Sequence, residues 1–372
     1  MTTSPAPILK PEKGSLADFT EEVRKTPVID WYRTPLSRED MKSLHTRSDF
    51  QGFVQTGGYL AILAATGATS IYSAFHWPWW ATLAALFVHG TVTAFLMNGV
   101  HELGHGTVFK TKKLNGFFCH ILAFLGWINH EMFQCSHTRH HRYTLHPPDD
   151  LEVVLPVPLM IRHVFQTGMV HPIGAWKTLL YTIRVACGRF CGEWELTLFP
   201  ASDRKGRIPP VRWARILLLG HGTITIVSLS FGLWIVPVVT TLAPFYGGWL
   251  SFLVNNTQHI GLKDNVPDFR LCCRTFTLNP LVRFLSWQMN YHTEHHMYAA
   301  VPCYHLGRLH RVIEQDLPPT PHGLAAVWKD IAAILRKQQK DPSYQHELVL
   351  PPGAAPARLS SQPCRNPALN AP

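Results

Sequence analysis

Residues 50–101 have the sequence FQGFVQTGGYLAILAATGATSIYSAFHWPWWATLAALFVHGTVTAFLMNGVH, without any Asp, Glu, Lys or Arg. A bilayer core requires about 20 apolar residues per helix, so this stretch is long enough for two membrane helices and a turn. We expect helices near 53–75 and 80–100. The turn is predicted at His76-Trp77-Pro78-Trp79-Trp80, because proline suits a turn and clustered tryptophans suit the headgroup region.

A second uncharged stretch, residues 216–262, repeats this layout. We expect helices near 214–235 and 239–258, with Pro237 and Pro244 marking the break between them. Only 16% of all residues are charged and 46% are hydrophobic, which suits neither a soluble domain nor a mostly disordered chain. The sequence therefore predicts an all-α fold with four transmembrane helices in two hairpins.

The distribution of charge predicts the orientation in the membrane. Neither turn carries Lys or Arg, whereas residues 101–213 carry 13 Lys and Arg against 8 Asp and Glu. By the positive-inside rule, this segment and both termini face the cytosol. We expect an integral, multi-pass membrane protein, in the endoplasmic reticulum if its source is eukaryotic. The formal net charge of +10 fits topology and anionic lipid contact, and no recognition motif supports nucleic-acid binding.

Composition divides the chain into three regions. Residues 1–30 are expected to form a flexible arm without the apolar core of a secretory signal peptide. Residues 31–340 are predicted to form the membrane domain, and residues 341–372 a disordered, proline-rich tail. Apolar residues at helical spacing predict an amphipathic helix over 323–340, packed on the domain.

Histidine is the chemical anomaly of this chain, with 22 among 372 residues. The informative ones fall in four clusters: His101-Glu102-Leu103-Gly104-His105, His137-Thr138-Arg139-His140-His141, Asn255-Asn256-Thr257-Gln258-His259 and His292-Thr293-Glu294-His295-His296. Residues three and four apart share one face of a helix, so each cluster directs its polar side chains to one side. All four clusters end or follow predicted membrane helices on the cytosolic side. Nine His and one Asn exceed the four to six ligands of one metal ion, which implies two metal ions.

Two other classes of protein use such patterns. His-Glu-x-x-His is typical of zinc proteases, which use two histidine ligands and a glutamate base. A membrane zinc metalloprotease would leave both triple-histidine clusters unexplained. A histidine-rich metal transporter would normally carry acidic residues inside the membrane, whereas the four predicted spans contain no Asp or Glu.

The order of the motifs resembles the membrane fatty acid desaturase/hydroxylase superfamily. Across residues 30–340, two membrane helices precede His-x-x-x-His and His-x-x-His-His, and two more precede Asn-x-x-x-His and a second His-x-x-His-His. The resemblance implies a cytosolic helical cap with a diiron centre that uses O2 to attack an unactivated C–H bond. The metal ligands it implies are His101, His105, His137, His140, His141, His259, His292, His295 and His296. Asn255 matches a family position that binds through water or lies beside the metal.

Carboxylates near the clusters are candidate partners of the ligands. Glu102, Asp150 and Glu294 are expected to orient imidazole N–H groups. His89 and His221 lie within predicted spans, where we expect buried, hydrogen-bonded side chains.

The motifs leave the substrate open. Desaturation of the acyl chain of a lipid or fatty-acid-like substrate is our prediction. Hydroxylation or ketolation of a polyketide, terpenoid or carotenoid is the alternative within the same superfamily. The sequence contains no His-Pro-Gly-Gly haem motif. We therefore expect an external electron donor, either a b-type cytochrome with its reductase or a ferredoxin-like carrier.

Overall fold

The computed structural model describes residues 28–157, 159 and 161–359. Within these residues the chain is helical, with isolated β-bridges and no strand, which confirms the predicted all-α class. The α-helices are α1 (Arg38–Leu44), α2 (Asp49–His76), α3 (Trp79–Thr93), α4 (Leu96–Gly104), α5 (Lys112–Leu125), α6 (His130–Tyr143), α7 (Ile161–Gly168), α8 (Pro172–Ala186), α9 (Glu193–Leu198), α10 (Ile208–Ser230), α11 (Ile235–Val239), α12 (Trp249–Asn255), α13 (Phe269–Cys272), α14 (Pro280–Leu285), α15 (His292–Met297), α16 (Cys303–Ile313) and α17 (Gly323–Lys340). Two 3₁₀ helices cover Ala243–Phe245 and Glu314–Asp316.

The first hairpin consists of α2 and the nearly continuous pair α3–α4. Ser48 begins α2, because its hydroxyl accepts a hydrogen bond from an amide of the first turn. Pro78 precedes α3 and ends the turn. Both Asp49–His76 and Trp79–Gly104 are long and apolar enough to cross a membrane, so the two helices predicted here are confirmed within a few residues.

The second predicted hairpin contains one long regular helix. α10 is the third helix within the described residues that is long and apolar enough to cross a membrane. It ends earlier than predicted because Gly232 adopts a left-handed conformation (φ +71°) just after it. The prediction of a continuous helix over 239–258 is wrong, since α11, a 3₁₀ helix and α12 occupy this region. Pro244 and a left-handed Gly247 (φ +67°) interrupt the backbone there.

The remaining helices share a hydrophobic core with the hairpins. The core extends from Tyr59 of α2 and Leu96 of α4 to Trp287 and Ile331, the last of these in α17. The helix predicted over 323–340 is confirmed as α17, which buries one apolar face. A second, smaller core joins Met132 of α6 to Val185 of α8 and Ala214 of α10. Packed side chains in these two cores therefore hold the histidine-bearing helices against the long apolar helices.

The described end of the chain lies against the domain. The amide of His346 donates to the carbonyl of Gly261 (2.7 Å), and the amide of Ala355 donates to the Asp316 carboxylate (2.9 Å). Residues 341–359, which the sequence assigns to the tail, thus contact the domain. Residues 1–27 of the predicted arm and 360–372 of the tail lie outside the described residues, and the domain boundaries stay a prediction.

Candidate metal centre

Four segments bring nine histidines together beyond the end of α4. α4 supplies His101, and His105 directly follows its last residue. α6 and α15 supply three histidines each, and His259 lies in a turn after α12. Asn129 fixes the start of α6, because its side chain accepts a hydrogen bond from an amide of the first turn.

The nine side chains divide into two groups, in each of which the facing ring nitrogens lie within 4.8 Å of one another. The first group contains His101, His105, His137, His141 and His295, and the second contains His140, His259, His292 and His296. Each triple-histidine cluster of the sequence contributes to both groups. Each cluster contributes to both groups because neighbouring residues on a helix point in different directions.

Nitrogen spacing in the first group fits a bound metal ion. The Nε2 atom of His141 lies 2.9 Å from Nε2 of His137 and 3.1 Å from Nε2 of His295. Two nitrogens at about 2.1 Å from one ion, at right angles, are about 3 Å apart. The Nε2 atoms of His101 and His105 are buried and have no hydrogen-bond partner within the described residues. Buried nitrogens without partners are costly, and a metal ion would satisfy them.

The second group has the same spacing. The Nε2 atom of His292 lies 2.9 Å from that of His259 and 3.0 Å from that of His296. The two groups are adjacent, because the rings of His141 and His296 stack with centroids 4.3 Å apart. The donor set therefore suits two neighbouring metal ions held entirely by imidazole.

Buried acceptors orient several of these rings. Nδ1 of His140 lies 2.7 Å from the carboxylate of Asp150, and Nδ1 of His101 lies 3.0 Å from that of Glu102. Nδ1 of His259 donates to a backbone carbonyl at 2.8 Å. A proton held on Nδ1 leaves the lone pair of Nε2 free for a metal. Asp150 and Glu102 thus each contact a histidine that the sequence predicts to be a ligand.

Two carboxylates behave differently from expectation. Glu294 contacts no histidine of either group, since it bonds His310 (2.5 Å) and Thr275; on its short helix it faces away from the rings. Glu152 was not predicted, yet its carboxylate lies 2.9 Å from Nδ1 of His137. The available signal was the acidic run 149–152 that follows the second cluster.

The electrostatic environment keeps most of these imidazoles neutral. Burial, followed by repulsion from neighbouring imidazoles, lowers the pKa of His137, His141, His292, His295 and His296 well below the usual value. Burial also lowers the pKa of His105 to about 4 and that of His259 to about 3. Neutral imidazole is the form that binds metals.

His140 is the exception among the nine. Burial lowers its pKa, but the hydrogen bond and charge of Asp150 together outweigh burial and raise it. The same hydrogen bond, with two backbone amides, lowers the pKa of Asp150 against the effect of burial. Asp150 is thus an ionised carboxylate that fixes the orientation of one ring.

Asn255 lies beside the groups rather than within them. α12 ends at Asn255, so it does not share a helix face with His259 as expected. Its amide exchanges hydrogen bonds with Asn98 instead. Both asparagines line a cavity of about 150 Å³ that also reaches histidines of both groups. Met97, Phe133, Val153 and Met289 form the apolar part of its wall, and Glu152 and Gln258 add polar groups. The apolar part can contact an apolar ligand beside the rings.

Two larger cavities lie beside the long apolar helices. One of about 370 Å³ is enclosed by α2, α3, α4 and α11, and one of about 620 Å³ lies between α8, α10 and the segment after α11. His89 and His221 line them and are buried and hydrogen-bonded, as expected. His89 contacts Thr66 and a backbone carbonyl, and His221 contacts Thr241 and another carbonyl.

Comparison with known proteins gives two results. A family model described as "Fatty acid desaturase" matches residues 27–328. The chain is also similar to the omega-3 fatty acid desaturase of the endoplasmic reticulum from Vigna radiata var. radiata, with 26% identity over 270 residues. That match covers 65% of this chain and 66% of the relative, slightly less than two thirds of the relative's length.

Proposed function

Because the chain belongs to the fatty acid desaturase family, we propose that it is a membrane-bound diiron oxidoreductase that uses O2 to desaturate the acyl chain of a lipid or fatty-acid-like substrate. The observation that carries this proposal is the pair of adjacent all-histidine groups. Two iron ions bound there would supply the oxidising power that an unactivated C–H bond requires. The name of the plant relative supports an acyl substrate.

The protein's own residues position and protect the reaction. Asp150, Glu152 and Glu102 hold three imidazoles in fixed orientations, which favours tight metal binding. Phe133 stacks on the ring of His137 and lines the cavity that reaches both groups. An acyl chain in this cavity would displace water and bring a carbon beside the rings, and such positioning decides which C–H bond reacts.

The membrane arrangement belongs to the same proposal. We infer that α2, the pair α3–α4 and α10 cross the bilayer, and that residues 231–255 make the fourth crossing as an irregular segment. Side chains of the protein cap carbonyls in this segment, which irregular backbone at membrane depth requires. The metal groups and both termini would then lie on the cytosolic side, where an external electron donor has access.

Two alternatives make different demands on the site. Hydroxylation would use the same groups and differs only in how the chain is held. A zinc protease requires its glutamate to face a bound water. Glu102 is instead fully buried and turned towards His101 and His295, which favours the oxygenase.

The test is turnover of purified protein in nanodiscs with iron, an acyl substrate, an electron donor and isotopically labelled O2. We expect two iron ions per chain and a product two hydrogens lighter that carries no label. A product with one labelled oxygen would replace desaturation by hydroxylation. One zinc ion per chain with peptidase activity would overturn the proposal.

A further inference from the structure

Desaturation with O2 requires more electrons than the substrate supplies, so the remaining electrons must come from a separate donor. Removing two hydrogens from a carbon–carbon single bond yields two electrons and two protons. Reducing O2 to two molecules of water consumes four of each. On the proposed function, two further electrons and two protons must therefore reach the metal groups in every turnover. The electrons need a path from the protein surface to a histidine ligand.

Aromatic rings form such a path on one side of the centre. Trp31 is partly exposed within the described residues and stacks on Phe269, with ring centroids 4.1 Å apart and planes 8° from parallel. Phe269 is buried, and its ring lies 5.6 Å from that of His296 in the second group. Phe133 also contacts the centre, but it lines the cavity assigned to the substrate.

The path is held rigidly at its outer end. The indole nitrogen of Trp31 donates to the carbonyl of Arg142 (3.0 Å), and the amide of Tyr32 donates to that of Pro267 (2.9 Å). The ring of Trp31 also meets His146 edge-on. Fixed stacking of π systems gives stronger electronic coupling than mobile or aliphatic side chains would.

The surface around Trp31 is basic. We define the Trp31 surface as Trp31, Arg33, Arg142 and Arg358. Arg33 is exposed and lies two residues from Trp31, and Tyr32 between them forms an isolated β-bridge with Asp268. Asp30 pairs with Arg358, whereas Arg33 and Arg142 form no ion pair within the described residues. Unpaired surface arginines near a partly exposed tryptophan suit a protein partner with acidic charge.

We propose that the Trp31 surface docks an acidic one-electron carrier protein, and that Trp31 and Phe269 conduct its electron to the metal bound by the group containing His296. In each transfer one carrier is oxidised by one electron and the metal centre is reduced by one. Two transfers supply the deficit of a turnover. Trp31 and Phe269 act through His296 and are positioning residues for electron transfer.

The path is tested with a pre-reduced, acidic haem domain of a b-type cytochrome and iron-loaded protein in nanodiscs. Haem re-oxidation is followed by absorbance without O2 or substrate, so the result stands whether or not the chain desaturates. We expect Trp31→Leu to slow re-oxidation several-fold per bound iron at saturating carrier. Trp31→Phe should retain most of the rate, because it keeps the ring while losing the hydrogen bond to Arg142. A Leu variant as fast as the wild type, or a Phe variant as slow as Leu, would overturn the path.

The docking surface is tested by charge reversal. Arg33→Glu should lower the second-order rate of haem re-oxidation about tenfold at low salt, with the loss shrinking as salt rises. It should also weaken binding of the oxidised haem domain, measured by biolayer interferometry. This measurement does not require iron in the histidine groups. Arg336→Glu on α17 makes the same charge change on an exposed side chain elsewhere. Equal effects of the two variants, or no electron uptake by iron-loaded wild type, would overturn the docking surface.

Discussion

His140 and His259 come from distant parts of the chain, yet their ring centroids lie 5.2 Å apart in the second group. The sequence singled out the nine histidines that the structure brings together, because three- and four-residue spacing on helices is a local property. Their role as metal ligands stays a prediction. Which histidines of different segments meet in one group depends on how α4, α6 and α15 pack, which no local pattern encodes. The same limit explains why Glu294 was predicted and Glu152 was missed.

Removing one ligand from each group tests the division. His141→Ala in the first group and His259→Ala in the second should each abolish product formation. Each should weaken metal retention at least as much as the ~10–100-fold that loss of an outer partner causes. Metal per chain after dialysis against a chelator is the measurement, with the exposed His322→Ala as the control. Full activity in His259→Ala would exclude this residue from the centre.

The carboxylate of Glu152 gives a second prediction at the residue scale. Glu152→Ala removes the acceptor for Nδ1 of His137, so the ring should lose its fixed orientation. We expect metal affinity to fall ~10–100-fold, measured by competition with a chromogenic chelator. Glu152→Gln keeps one acceptor oxygen and should lose less. Glu193→Ala changes an exposed carboxylate and should leave affinity unchanged; if it matched Glu152→Ala, the role of the contact would be refuted.

At the scale of helices, the irregular segment 231–255 packs closely against α3. Gly90 of α3 faces this segment, and a Cβ there would collide with the carbonyl oxygen of Tyr246. Gly90→Ala should therefore lower the free energy of unfolding by about 1–3 kcal/mol, as overpacking typically does. Thermal unfolding in detergent measures this loss.

The matched control lies on α2. A Cβ at Gly57 would meet no heavy atom within 4 Å, so Gly57→Ala should be neutral or stabilise the helix by up to about 1 kcal/mol. If the two variants unfolded alike, Gly90 would not be a contact point.

Helix orientation gives a prediction of its own. A tag inserted near residue 205, before α10, should be accessible from the cytosol, as should tags at either terminus. A tag in the turn at Trp77 should be accessible only from the opposite side. Protease protection of sealed vesicles measures this, and a tag near residue 205 on the side opposite the cytosol would refute the topology.

Uncharged, apolar length predicted the long helices and helical periodicity predicted α17, but neither predicted the interruptions. Each regular helix repeats an apolar pattern that a reader of the sequence can detect. The segment after α10 is also uncharged, and its breaks come from Pro244 and the conformation of Gly247, which hydropathy does not register. The length of the uncharged stretch therefore predicted a membrane-spanning segment but not the breaks in its helical structure.

Across the whole molecule, one buried ion cluster joins distant segments. Asp316 accepts hydrogen bonds from Tyr32 (2.7 Å), Thr34 (2.6 Å), Arg270 (2.8 Å) and the amide of Ala355 (2.9 Å). Asp316→Ala leaves the fully buried Arg270 with one partner fewer. We expect a loss of about 3 kcal/mol in the free energy of unfolding, measured by thermal unfolding against the exposed Glu39→Ala.

The loss should depend on pH in a defined direction. Burial raises the pKa of Asp316, but its hydrogen bonds and the charge of Arg270 outweigh burial and lower it. A lowered pKa stabilises the fold above the usual value of about 4, and the gain disappears as pH falls through the folded pKa. The gap between wild type and Asp316→Ala should be constant near neutral pH and narrow in acid. A gap that widened in acid would contradict this account.

The irregular fourth segment also has a consequence for biogenesis. Backbone carbonyls of this segment are hydrogen-bonded by side chains from other parts of the chain. A ring nitrogen of His89 contacts the carbonyl of Val239, and the indole nitrogen of Trp127 donates to the carbonyl of Thr241. If the segment entered lipid alone, these carbonyls would have no hydrogen-bond donors. We therefore expect that it does not leave the insertion machinery for the lipid by itself. It should remain associated with that machinery, or with α10, until the N-terminal hairpin is in place to receive it. The order of synthesis along the chain supplies this hairpin first. In the proposed membrane arrangement, assembly of the last crossing is thereby tied to completion of the first two.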